Sequence, residues 1–157
     1  MAQAVQTIIL IASAPGQPFV EEALSAAGSA IKPGYLIEEI AAGTVQEHST
    51  AADNAQRLFA LPNISAGKTI DDAYAAAERV RYGSFSRGQK VNALLAASAT
   101  AVIIGSPLES AGDGTVRIQT TDAATDDTQR DSLIGYAIEA VDNSGGGSEA
   151  RLQIRVA

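Results

Sequence analysis

The feature that most constrains this chain is its punctuation. Apolar runs of a few residues are cut, again and again, by turns containing Gly, Pro or Asn. Runs so short cannot build long helices, but they suit strands that bury one face. Strand candidates fall at residues 6–11, 35–40, 57–61, 79–85, 89–96, 101–104, 108–111, 115–120, 133–141 and 151–156. Gly112-Asp113-Gly114 between two of these runs is a hairpin signal, because Gly and Asp tolerate the positive φ that tight turns need. Gly145-Gly146-Gly147, with no following Lys and Ser or Thr, reads as a flexible hairpin loop and not as a phosphate cradle. Many short strands at this spacing predict a mostly β chain: a compact antiparallel β-barrel or β-sandwich, with at most one or two short helices.

An internal echo supports that reading. KPGYLIEEIAAGTVQ (32–46) and GSPLESAGDGTVR (105–117) share an apolar residue, a Glu, an Ala-Gly turn and a Thr-Val pair. SRGQKVNALL (86–95) shares the opening half. These read as repeated strand-turn-strand units of one barrel, too irregular to stack as a solenoid. Two segments pull the other way. Residues 71–80 carry a capping Asp71 and apolar positions at helical spacing, which predicts a short helix over 71–75 before the chain extends. Residues 92–100 carry the same ambiguity.

Residues 1–30 differ from the rest. After an apolar run at 5–14 they turn to Ala, Ser, Gly and Pro. The run lacks a positively charged flank, which argues against a signal peptide, and it is too short to cross a bilayer. The chain therefore divides into an extended N-terminal arm, 1–30, and a β-rich body, 31–157. The arm's apolar and breaker residues Thr7, Ile8, Ile9, Leu10, Ile11, Pro15 and Phe19 are candidates for contact with a partner surface, by addition of a strand to a neighbour's sheet edge.

Composition narrows the functions. Hydrophobic residues make up 46% of the chain but aromatics only 4%, so the core is built from small side chains and self-association is expected to add stability. A formal net charge of −7 disfavours nucleic acid and anionic membrane as partners. No Cys is present, which removes disulfides and thiolate metal sites. His48 is the sole histidine, with no nucleophile elbow beside it, and reads as a polar strand-end residue hydrogen-bonded at an interface. Glu21-Glu22, Glu38-Glu39, Asp71-Asp72 and Asp126-Asp127 are adjacent carboxylates. Neighbours on a strand point to opposite faces, so such pairs do not converge on one cleft. The acidic stretch 122–131 is a weak calcium or magnesium candidate without EF-hand spacing. Arg79, Arg81 and Arg87 with Tyr82 and Phe85 form an arginine–aromatic group, a candidate subunit interface facing acidic residues of a neighbour.

In order along the chain, IKPGYLIEE, EHSTAADNAQRLFALPN, GKTIDDAYAAAERVRYG, RGQKVNALLAASATAVIIGSPLESAGDGTVR and IGYAIEAVDNSGGG resemble the capsid cement, or head decoration, proteins of tailed phages. The order and spacing of these segments carry the resemblance. It implies a β-rich body, trimeric, on the outer surface of a virion after synthesis in the host cytoplasm. It implies the major capsid protein and copies of itself as partners, no cofactor and no enzymatic activity. A carbohydrate- or host-surface-binding β module is the alternative, weakened by the lack of Trp.

Overall fold

The computed structural model describes residues 10–12, 18–120 and 131–157. Among them run eleven strands: β1 (Leu10–Ala12), β2 (Phe19–Ser25), β3 (Leu36–Ala41), β4 (Thr44–Glu47), β5 (Leu58–Ala60), β6 (Arg79–Ser84), β7 (Lys90–Leu95), β8 (Pro107–Ser110), β9 (Val116–Ile118), β10 (Gly135–Ala137) and β11 (Ala150–Val156). The expected mostly β barrel is what forms, but it forms twice. Strands β2-β4-β3-β5-β6 close into barrel 1. Strands β7-β11-β10-β8-β9 close into barrel 2 through a β7–β9 contact, and β1 adds to the other half of the same β7 edge.

The two barrels share one topology. In each, the first strand pairs antiparallel with the last and parallel with the third, and a hairpin links the second to the third. The registers correspond as well: Leu24 lies opposite Arg79 as Leu94 lies opposite Arg151. The same main-chain bonds recur, such as Ala26 N–H to Val45 O (2.8 Å) and Ala96 N–H to Val116 O (2.9 Å), or Gly34 N–H to Ala60 O and Gly105 N–H to Ala137 O, both 2.8 Å. The echo at 32–46 and 105–117 is thus the visible part of a duplicated unit. Each barrel closes through its short parallel pair, which a purely antiparallel reading did not include.

Alternation places the cores. On β11, Leu152, Ile154 and Val156 point inward while Arg155 is exposed. Barrel 2's core also takes Leu36, Phe59, Leu61, Ile70 and Phe85 from barrel 1's half of the chain. Barrel 1's core takes Leu94 from barrel 2. The barrels therefore interdigitate. Phe59 and Phe85 meet edge to face across this boundary, ring centroids 5.6 Å apart.

Two expectations change. Residues 71–75 form no helix. Tyr74 is pulled into the core, where its hydroxyl donates to Leu61 O (2.7 Å) and its N–H to Ile31 O, while Asp72 closes a turn on Thr69 instead of capping a helix. Residues 19–25, assigned to the arm, are β2, a full member of barrel 1. Leu10–Ala12 of the arm pairs with the chain's own β7.

Candidate interaction surfaces

Among the polar residues singled out from sequence, His48 holds one barrel to the other, and Glu149 and Arg151 join it in doing so. His48 directly follows β4 and is buried. Its Nδ1 lies 2.8 Å from Ser110 Oγ of barrel 2, and its Nε2 lies 3.4 Å from Asn54 O and 3.9 Å from Glu38 Oε2. The row Ser110–His48–Glu38 has the order of a catalytic triad. Ser110 is fully buried, however, and its hydroxyl accepts a bond from Gly112 N–H, so the row meets no solvent at its nucleophile position. Glu149 takes Lys32 Nζ at 3.0 Å and Tyr35 Oη at 2.7 Å, both from barrel 1. Those two bonds hold its carboxyl below the usual range, while burial, and then Glu149, push the Tyr35 phenol well above its own. Arg151 donates to Pro33 O (2.6 Å) and to Ile70 O.

The adjacent carboxylates separate as strand geometry requires. Glu38 accepts from Gln46 and Ser49, and its neighbour Glu39 accepts from Tyr82 Oη at 2.8 Å. Glu109, the barrel 2 counterpart of Glu38, is buried and pairs in register with Arg117 at 2.9 Å. No group of three or more His, Cys, Asp or Glu residues able to hold a metal occurs among the described residues. Asp126-Asp127, and residues 122–130 of the acidic stretch, lie outside them.

The arginine–aromatic group is dispersed. Tyr82 and Phe85 are buried in the chain's own cores and cannot face a neighbour, because alternation on β6 turns Tyr82 inward and the inter-barrel link folds Phe85 under Phe59. Arg79 and Arg87 are exposed and Arg81 is half-buried. Arg87 belongs to a different set, a cavity of about 420 Å³ at the inter-barrel junction that Arg57, Arg87 and Arg155 line together with Leu133, Tyr136 and Ala157. None of these three arginines forms an ion pair among the described residues, so their fork-shaped donors are available to carboxylates of a ligand or partner. Sequence reading found Arg87 but not this cavity, since Arg57 and Arg155 are distant along the chain.

Of the arm candidates, Phe19 is 80% exposed at the start of β2. Leu10 and Ile11 belong to β1, and Thr7, Ile8, Ile9 and Pro15 lie outside the described residues. Ile103 and Ile104 project from a barrel 2 loop at 68% and 69% exposure, a pair that sequence reading had placed in a strand. Val102 makes only an isolated bridge to Val141.

These features define a two-barrel β protein whose buried polar groups brace one barrel against the other and which leaves several large apolar side chains exposed. No protein-family model matches the sequence, and no curated protein matches it significantly. Among solved structures the chain is similar to the N-terminal base of the head fiber protein gp8.5 of bacteriophage phi29, with a TM-score of 0.55 and 8% identity over 90% of this chain and 95% of that one. At that identity the likeness establishes a common fold.

Proposed function

We propose that this chain is a structural, non-enzymatic protein of a phage head. It decorates the outer surface of the shell as a homotrimer and cements the junctions between capsomers. The observation that carries this reading is the fold likeness to a phage head fiber base over nearly the whole of both chains, together with the ordered sequence resemblance to cement proteins. The architecture suits the task. Two interlocked barrels make a stiff body, and the buried polar groups described above act as braces.

A ligand that binds only the intact shell stabilises it by mass action, and several linked contacts raise effective concentration, so modest individual contacts suffice. Phe19, the most exposed large apolar side chain among the described residues, is the leading capsid-contact candidate. The cavity ringed by Arg57, Arg87 and Arg155 is a second, suited to acidic residues of the shell.

The test is addition of purified protein to undecorated heads, followed by sedimentation and thermal melting of the particles. Co-sedimentation at a fixed ratio with a raised melting temperature is expected. Heads that ignore the protein at micromolar concentration would refute the reading.

A further inference from the structure

The duplicated fold permits an internal comparison. Position by position, one barrel shows what covers a surface that the other leaves bare. Barrel 1's loop Lys32-Pro33-Gly34 corresponds to barrel 2's loop Ile103-Ile104-Gly105. Tyr35 N–H bonds Lys32 O (3.0 Å) as Ser106 N–H bonds Ile103 O (3.1 Å), and the glycines take φ of 93° and 89°.

In barrel 1 this loop is docked on barrel 2. Pro33 and Gly34 are buried, and Arg151 donates to Pro33 O. A Cβ on Gly34 would lie 2.8 Å from Asn92 O of β7. Leu94, beneath, is only 6% exposed. In barrel 2 the same loop is bare: Ile103, Ile104 and Gly105 are all exposed, and a Cβ on Gly105 would meet nothing within 4 Å.

The receiving surface shows the converse. Leu24 and Arg79 of barrel 1 occupy the positions of Leu94 and Arg151. Leu24 is 45% exposed, and Arg79 is exposed with no ion pair among the described residues. A second contact of the same interface repeats the pattern. Barrel 2's turn at Gly114 packs on Tyr35 of barrel 1, and Gly114 O accepts from Leu36 N–H. The equivalent barrel 1 turn at Gly43 stands open, beside exposed Ile40.

The molecule therefore has a used interface between its barrels and both halves of that interface unused at its two ends. We propose that a second copy of this chain completes it, head to tail. The Ile103-Ile104-Gly105 loop of one copy docks over Leu24 and Arg79 of the next, with Arg79 donating to the Ile104 carbonyl as Arg151 does to Pro33 O. Two apolar side chains on the loop, where barrel 1 has Lys and Pro, meet Leu24 and Ile40. Such a contact is heterologous, so it makes a ring if its rotation closes. Closure after three copies would give a ring of six similar barrels. The inference rests on the self-association part of the proposed function and is independent of capsid binding.

The test is the mass of the full chain in solution by light scattering, for wild type, Ile103→Asp/Ile104→Asp and Leu24→Asp, with thermal melting as the folding control. All three sites are exposed, so each variant is expected to fold. The expected result is an oligomeric wild type and monomeric variants. Because the chain has no Cys, thiol placement is unambiguous. Ile104→Cys mixed with Leu24→Cys is expected to form mixed dimers with a short thiol–thiol cross-linker, and Ile104→Cys alone is not. A wild type that stays monomeric at 100 µM, on the order of the upper limit for a useful contact, overturns both this interface and the trimer. An oligomer that survives both variants overturns the interface alone. Capsid binding by a monomeric variant would leave decoration standing.

Discussion

Barrel 1 and barrel 2 have one topology and one register, yet their equivalent residues meet different fates. Gly34 is wedged against β7 and Arg151, whereas Gly105 faces open space. Leu94 is buried under barrel 1, whereas Leu24 is half in solvent. Glu109 is buried against Arg117, whereas Glu38 keeps partial exposure and takes a neutral Gln46. The difference teaches that local strand geometry is set by the unit, and the energetic weight of each residue by what the neighbouring barrel covers.

The glycines give the largest expected contrast. A Cβ at Gly34 meets Arg151 Nη1 at 2.6 Å and main chain at 2.8 Å, and the positive φ is strained for any other residue. Gly34→Ala is expected to cost about 4 kcal/mol, from overpacking plus strain. At dilutions where the chain is monomeric, Gly105→Ala carries only the strain, about 2 kcal/mol. Urea unfolding of both variants measures the gap, and equal losses would show that the inter-barrel packing carries no weight.

The leucines sharpen the same point. Leu94→Ala is expected to lose about 3 kcal/mol through transfer and cavity terms. Leu24→Ala should change the stability of the isolated chain by less than about 1 kcal/mol. A Leu24→Ala loss near that of Leu94→Ala, at dilutions where the chain is monomeric, would contradict the exposure of β2.

Next come the cross-strand pairs. Arg117→Met leaves the Glu109 carboxylate buried without its cation, with Thr120 as its remaining partner among the described residues, and is expected to cost about 3 kcal/mol. That is the low end for a buried pair, because Arg117 is partly exposed. Gln46→Met in barrel 1 should cost about 1 kcal/mol or less, since Glu38 retains Ser49 and solvent. Paired denaturation midpoints test this.

The smallest effect is the pH response of the inter-barrel latch. Glu149 has its carboxyl pKa lowered in the folded chain, chiefly by Tyr35 and then Lys32. The folded state therefore binds its proton more weakly than the unfolded state does. The latch's contribution is complete above the unfolded value of about 4.3 and fades as pH falls through the lower folded value. Glu149→Gln should flatten the melting temperature between about pH 5 and 3 relative to wild type. An unchanged acid limb would mean the latch contributes nothing.

Much of the β framework was legible because turn chemistry is local. Gly43, Gly88, Gly105, Gly112 and Gly114 sit at positive φ in turns that the sequence marked. Strands appear within a residue or two of their expected ends over 57–61, 79–85 and 151–156. Residues 71–75 misled because Ala spacing measures helix propensity, and burial of one Tyr74 ring with two hydrogen bonds outweighs a few tenths of a kcal/mol per residue. The arginine–aromatic group misled because proximity in sequence says nothing about which way Tyr82 faces until β6 has a barrel to close.

From the sequence alone came the strand period, the turn sites, the aromatic-poor core and the echo of one half in the other, since each follows from neighbouring residues. The tertiary structure decided the rest. It closed the echo into two barrels and drew β2 out of the arm. It gathered Arg57, Arg87 and Arg155 around one cavity, and it covered Leu94 while leaving Leu24 bare. Those outcomes depend on contacts between residues far apart in the chain, and no local pattern encodes which of two equivalent surfaces will find a neighbour.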